Sequence, residues 1–525
     1  MSFNIDDPQY HMGHLFMDCM RRRPDSVCQV DAATGETETN ASVLQRSVRL
    51  AKYMRTLGLK PGDVLALGGR NHLDLYIPYY AALMNGYPIT GVDPLFKLHE
   101  IKSFFKLTQP KIAFCQQNQR ENYLEAAREL GLDTRVITFD GDESMSKLLA
   151  DFADDDIADF QPATFDLDKV YVWLISTGGT SGALKVAAIK HKAWIRKAIS
   201  FTLCLLELND KDDTSPVIAL NLSPVQWVSG LFNAMSAPLL NQTKVQTSAL
   251  LTMEHVVEII NKYKPKTTMM NPSLASNLLA YENCDFKCFK SFVLGGGKLH
   301  TDVILALKSR LRHDALLIEG YGQTENIGPV FATNHKTPIG SCGKRSNSVE
   351  VKLVDPETGL EITEPHVLGE LWTKGDCFTE YYMNPEETAK AFTADGWFKT
   401  GDILYRDEED FFYFVERMSM IIQYRSFRVI PLEIEGVIRT HEGVLDVSVT
   451  SIPSEEDGEH PVACVVRRKD ATVTAEEIKD HVADKLSDSK RLRGGVIFMD
   501  ELPMTSVGKV ARAKLRQLAQ NLPRE

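Results

Sequence analysis

"LISTGGTSGALKV", Leu174 to Val186, holds three glycines, four Ser/Thr hydroxyls and one lysine. It follows an apolar run rich in β-formers, Val170-Tyr-Val-Trp-Leu-Ile175. Such a run reads as a buried strand of a sheet covered by helices. A stretch so flexible and polar is poor material for the same core. Glycine with Ser/Thr after a strand can instead wrap backbone N–H groups and hydroxyls around phosphate oxygens, with a lysine adding charge. A plain surface turn is the alternative. The Walker pattern is not met, because neither Gly178 nor Gly179 has a glycine at the required spacing and Val186 follows Lys185. The G-x-G-x-x-G dinucleotide pattern fails as well.

Working outward, Val43 to Leu57 carries apolar residues at helical spacing (Leu44, Val48, Ala51, Met54) and stops at Gly58. Pro61-Gly62 then turns into the short strand "DVLALGG". The alternation of helix and strand continues through "KIAFC", "RVITF" and the Val170 strand, which argues for an α/β fold with buried, largely parallel sheets. At 525 residues the chain is too long for one core and should divide into about two to four units. The last hundred or so residues read as a small α+β unit. Thr474-x-x-Glu477 is a capping box before a helix whose Ile478, Val482 and Leu486 share one face, and "DVSVTSI", "PVACVV" and "GVIFM" are strand candidates around it. The boundary is expected at Glu416–Arg417, giving a large domain of residues 1–416 and a small one of 417–525.

Composition excludes several classes. A net charge of −12 argues against a nucleic-acid partner, which would call for a basic face. Nine dispersed cysteines suggest reduced thiols rather than disulfides or a zinc site, and His11-x-x-His14 lacks a third metal ligand. No apolar run reaches the roughly 20 residues of a membrane span. With no secretory pattern and no peroxisomal Ser-Lys-Leu address, a cytoplasmic location is expected.

Further islands accompany the first. "GGGKL" (295–299) follows the strand "SFVL", and "EGYGQTEN" (319–326) follows the strand "ALLI". "GELWTKG" (369–375), "GWFKTGDI" (396–403), "FVERMSMIIQYRSFRVIPLEIE" (414–435) and "PMTSVGKVARAKLR" (503–516) come after. In this order and at these intervals the set resembles the adenylate-forming superfamily of acyl-CoA synthetases, coumarate-CoA ligases, peptide-synthetase adenylation domains and beetle luciferases. "SKRLRGGVIFMDELP" (489–503) is most similar to the insect luciferases and luciferase-like acyl-CoA synthetases. The resemblance implies a large N-terminal domain of packed α/β sheets with a barrel-like β subdomain, and a small, mobile C-terminal α+β domain.

It also implies a chemistry: a carboxylic acid attacks the α-phosphate of ATP, pyrophosphate leaves, and the acyl-adenylate passes to coenzyme A. By resemblance Thr177, Gly178, Gly179, Thr180, Ser181, Gly182 and Lys185 form the loop over the β- and γ-phosphates. Thr324 touches the α-phosphate and Glu325 holds Mg²⁺. Gly295, Gly296, Gly297 and Tyr321 flank adenine, with Gly322 and Gln323 beside them in the nucleotide site. Asp402 and Arg417 match the ribose-binding pair, Lys509 the lysine that the small domain brings to the carboxylate and α-phosphate, and Trp227 a gate beside the acyl site. Departures gather at the hinge and behind it. Ser419 stands where relatives have Asp or Lys, Gln423 where luciferase-like members have Lys, and Ser426 where most have the glycine of the turn that meets the pantetheine arm of CoA. Within the loop, Leu184 and Val186 replace the usual proline and glycine. Two other outcomes stay open: a luciferase-type oxygenase, which exposes the adenylate to O₂, and a non-catalytic nucleotide- or acyl-binding relative.

Overall fold

The structure is a computed structural model that describes residues 7–141, 144–150, 157–178, 184–208, 217–297, 299, 301–505 and 509–525. Gly179, Thr180, Ser181 and Gly182 of the expected phosphate loop lie outside the described residues.

The Val170 run is the strand Tyr171–Gly178, and it pairs parallel to Ile89–Val92. Parallel pairing continues through Leu65–Gly68, Ile112–Cys115 and Arg135–Thr138. On its other side the chain returns antiparallel as Leu184–Lys190, and the two-residue strand Glu380–Tyr381 completes a seven-stranded sheet. The strands read as unbroken apolar runs because both faces are covered. Leu65, Leu67, Ile112, Phe114, Trp173 and Ile175 enter one core, while their neighbours Ala66, Ala113, Cys115 and Leu174 enter another. The period of two thus divides each run between two cores.

A second sheet has nine strands, six of them parallel: Val27–Asp31, Gln242–Gln246, Val217–Leu220, Thr267–Met270, Ser291–Gly295 and Leu316–Gln323. The last of these runs past the "ALLI" segment to Gln323, so Gly320 and Gly322 are strand residues rather than a loop following the strand. A Cβ on Gly322 would lie 2.2 Å from the carbonyl oxygen of Gly328, so only glycine permits this pairing with the strand Gly328–Ala332.

A third sheet is antiparallel, in the order Glu361–Ile362, Val349–Val354, Gly369–Gly375, Phe398–Arg406, Phe412–Arg417. It shares a core with Val330 and Phe331 of the nine-stranded sheet. After a short helical turn, Met418–Met420, the chain enters a fourth sheet built on the long hairpin Val444–Ser454 and Gly458–Arg467. The helix Ala475–Lys485 that packs there opens with the capping box read from Thr474 and Glu477. Among the described residues no helix is long and apolar enough to cross a membrane.

Glu435 is buried on the helix Pro431–Arg439, where it accepts hydrogen bonds from Ser448 Oγ and the Val449 amide and pairs with Arg512 at 3.1 Å. Removing one partner of such a pair leaves an uncompensated buried charge, so Arg512→Met should destabilise the C-terminal unit by about 3 kcal/mol. Replacing Glu435 by Leu in the same chain should recover most of that loss. Hydrogen exchange of the Val444–Ser454 amides checks both: faster in the single variant, near normal in the double.

Candidate active site

A cavity of 2040 Å³ opens where all these units meet. Its lining includes Gly295 and Gln323, the last residues of two parallel strands of the nine-stranded sheet, where ligands of open α/β sheets settle. Thr177 and Lys185 reach it from the seven-stranded sheet, Arg417 from the antiparallel sheet and Lys509 from the C-terminal unit.

The most constrained group beside the cavity is Asp402, 2% exposed, on the strand Phe398–Arg406. Its Oδ2 accepts from the Tyr321 hydroxyl at 2.7 Å and from Gln323 Nε2 at 2.6 Å. Its Oδ1 lies 2.9 Å from Arg417 Nε, the residue directly opposite on the neighbouring strand, yet receives no hydrogen bond of good geometry. Charge is balanced while one acceptor stays without a hydrogen bond, buried behind Arg417 rather than on the cavity wall. Burial, and then the Asp402 carboxylate, push the Tyr321 phenol well above its ordinary pKa, so it donates throughout the neutral range. Tyr321 does not itself border the cavity. Its ring packs against Phe331 and Phe414 and its hydroxyl buttresses Asp402.

Lys509 lies beside this pair. Its Cε and Nζ would be 3.7 and 3.9 Å from a Cβ on Gly296, so the lysine arm passes over bare backbone. Gly296 has φ +90°, a conformation that strains any other residue. Loss of solvation, then repulsion from Arg417, lower the Lys509 pKa, with Asp402 opposing, although the side chain keeps a face open to solvent.

Glu325 and Lys185 meet across the sheets. Glu325, 9% exposed in the turn Thr324–Asn326, accepts from the Tyr381 hydroxyl at 2.9 Å. Lys185 Nζ sits 5.1 Å from the centre of the Tyr381 ring and is ion-paired to Glu387. Hydrogen bonds from Lys185 and Lys390 pull the Glu387 carboxyl down to about 2. Among the described residues no three His, Cys, Asp or Glu side chains are grouped to hold a metal ion. One buried carboxylate on a cavity with room for a nucleotide fits Mg²⁺, which takes one or two carboxylates and completes its shell with phosphate oxygens and water.

Thr324, Glu325, Gly322 and Trp227 also border the cavity, Trp227 half-buried at the start of the helix Val228–Leu239. Gly178 pairs with Leu184, and Gly297 is not on the cavity wall. Ser426 is exposed and away from it, in a two-residue hairpin where Arg425, not Ser426, takes the left-handed conformation at φ +52°. Sequence reading missed Tyr381 and Glu387. A signal was present: Asn384 caps the helix Pro385–Ala391, with Pro385 at its start and Glu386 and Glu387 in its first turn. His11 is a helix cap, its Nδ1 accepting from the Gly13 amide and its Nε2 within 2.9 Å of the Ala163 carbonyl.

The fold and these side chains define a nucleotide-handling enzyme with a lysine carried on a separate C-terminal unit. The chain belongs to the AMP-binding enzyme family, which matches residues 16–383, and the AMP-binding enzyme C-terminal domain matches residues 433–509. It is therefore an adenylate-forming enzyme, of the superfamily that includes CoA ligases and luciferases. It is 31% identical over 513 residues to luciferin 4-monooxygenase of Photuris pensylvanica, covering 94% of this chain and 92% of that one. It is 29% identical over 513 residues to 4-coumarate–CoA ligase 3 of Oryza sativa subsp. japonica, covering 94% and 90%. The crystal structure of ATP-bound MatB from Rhodopseudomonas palustris superposes with a TM-score of 0.85 at 24% identity, over 97% of this chain and 99% of that one.

A lysine amine reacts as its neutral form, and a lowered pKa enlarges that fraction at a given pH. Lys509 should therefore be acylated by an amine-reactive ester near pH 8 faster than the exposed surface lysines. Arg417→Gln removes the repelling charge, raises the pKa and should slow that labelling. Peptide mass spectrometry over a time course reads both.

Proposed function

We propose that this enzyme activates a carboxylic acid with ATP and Mg²⁺ and passes the acyl group to coenzyme A in the cytoplasm. The observation that supports the reading is the convergence of Lys185, Glu325, Arg417 and Lys509, with Asp402 behind Arg417, on one cavity from three separate sheets, or the turn that follows one of them, and from the C-terminal unit.

A carboxylate oxygen attacks the α-phosphorus of ATP, the bond to the bridging oxygen breaks, and pyrophosphate leaves with that bond's electron pair. The protein's part is to position two anions and spread charge. The Asp402–Arg417 pair takes the ribose hydroxyls. Gly295, Gly296 and Gly322 let the base approach backbone, Gln323 and Tyr321 hold Asp402 in place, and Thr324 donates to the α-phosphate. Lys185, with Thr177 and residues 178–182, meets the β- and γ-phosphates, and Lys509 bridges the attacking carboxylate and the α-phosphate. Mg²⁺, held by Glu325, neutralises phosphate charge when bound. Trp227 closes the acyl side. In the second step the CoA sulfur attacks the acyl carbon and AMP leaves. We place the swivel that exchanges the two half-reactions at Glu416–Arg417, between domains 1–416 and 417–525, with Ser426 on the turn that meets the pantetheine arm.

Pyrophosphate release over a panel of fatty, cinnamic and heteroaromatic acids, with and without CoA, tests the reading. Release should need both ATP and an acid. No pyrophosphate with any acid would favour a non-catalytic binder, and O₂ uptake or light in place of thioester would favour the luciferase-type oxygenase. Lys509→Ala should slow release by roughly two to three orders of magnitude, the scale of one lost transition-state contact, with little change in ATP binding by calorimetry. Ser426→Gly should speed single-turnover transfer from preformed acyl-adenylate to CoA and leave pyrophosphate release nearly as it was.

A further inference from the structure

The helix His191–Leu208 carries Trp194 and Ala198 into the core, and between them Lys197, whose side chain is driven inward to 4% exposure. It borders the cavity described above. A buried ammonium costs several kcal/mol unless it is paired. Its Nζ donates to Ser348 Oγ at 2.9 Å, and among the described residues it has no carboxylate in ion-pair contact. Ser348 in turn shares a hydrogen bond with Ser346 at 3.1 Å. The acid whose charge reaches it, Asp376, also faces Arg196 at 3.8 Å, so one carboxylate serves two cations and the group of three keeps one positive charge.

Two other buried or half-buried lysines are accounted for differently. Lys185 is paired with Glu387. Lys244, 3% exposed, lays its Nζ 3.6 Å from the centre of the Tyr76 ring and does not border the cavity. Lys197 alone among these three presents an uncompensated charge to the cavity. Its electrical neighbours are Asp376 and Cys377, whereas those of Lys509 are Arg417 and Asp402, so among the cations lining the cavity these two are centres that answer to different neighbours. Burial lowers the Lys197 pKa to about 8, which leaves the ammonium largely charged at neutral pH.

A reaction that joins one carboxylate to ATP uses the Lys509 centre and leaves the second unanswered. We propose that Lys197 and Ser348 receive a second carboxylate on the substrate, so that the acid this enzyme activates is a dicarboxylic acid. The proposal rests on the acid-activating reading and specifies its substrate class. One carboxylate oxygen would replace the missing counter-ion at Lys197 Nζ, and Ser348 and Ser346 supply hydroxyls beside it. The apolar wall from Ile199 and Phe232 suits the hydrocarbon between the two acid groups.

The test compares α,ω-dicarboxylic acids of graded chain length with the monomethyl ester of each, by pyrophosphate release from the full-length enzyme with ATP and Mg²⁺. The diacid of best length should exceed its ester in kcat/KM by on the order of a hundredfold, the scale of a desolvated charge pair. In Lys197→Met, a neutral side chain of similar length, that advantage should collapse through a higher KM for the diacid and a lower KM for the ester, with kcat for the diacid moving far less. Lys197→Arg should keep part of the preference, and Ser348→Ala should lose about tenfold of it. A purely structural lysine would lower activity on both substrates together. Equal use of diacid and ester by the native enzyme, survival of the preference in Lys197→Met, or a gain from a ring hydroxyl but not from a second carboxylate each overturns the proposal. Should no acid give pyrophosphate, acid activation itself fails. Calorimetric titration of the ATP-loaded protein with glutarate and with its monomethyl ester then still decides the site: tighter diacid binding that disappears in Lys197→Met upholds it, and equal binding overturns it.

Discussion

Asp402 is a carboxylate withdrawn almost wholly from water, and a buried charge must be matched where it stands. Arg417 matches it from the neighbouring strand of the antiparallel sheet, while Tyr321 and Gln323 reach it from the end of a strand in the nine-stranded sheet. The two contacts from Tyr321 and Gln323 thereby fix the antiparallel sheet against the carboxyl-terminal edge of the parallel one. The pair with Asp402 also fixes the position of Arg417, whose charge acts on Lys509 from the C-terminal unit. Loss of Arg417 would leave the buried Asp402 charge without its counter-ion, held by Tyr321 and Gln323 alone.

A second stitch works on the opposite wall. After the excursion through the antiparallel strands Val349–Val354 and Gly369–Gly375, the chain returns to the seven-stranded sheet as Glu380–Tyr381, paired with Leu184–Lys190. Tyr381 then donates to Glu325, and its ring lies under Lys185. Cavity residues separated by some two hundred positions are thus held by a two-residue strand. Contacts between the C-terminal unit and the rest are different in kind: Arg428–Glu357 is an exposed pair, which contributes little in water.

Much of this was legible in the chain because it is local. The strand before the glycine-rich stretch, the helix ending at Gly58, the capping box at Thr474 and Glu477, and the hairpin strands of the C-terminal unit follow from apolar period and turn chemistry over a few residues. The extension of the "ALLI" strand through Glu319 to Gln323 was not legible, since two glycines in five residues read as a break. Their reason is a neighbour, the close-lying Gly328 backbone, which no local pattern contains.

By itself, then, the order of strands and helices determined an α/β fold, because apolar period and turn chemistry are local, and the motif islands in their order and intervals carried the resemblance to the adenylate-forming superfamily. What the tertiary structure alone decided is which charges answer one another. Lys185 meets Glu387, Glu325 meets Tyr381, Arg512 meets Glu435, and Lys197, among the described residues, hydrogen-bonds a serine hydroxyl with no carboxylate in ion-pair contact. Coulombic pairing and desolvation depend on distance and burial, and those are set by the packing of sheets whose strands lie far apart along the chain.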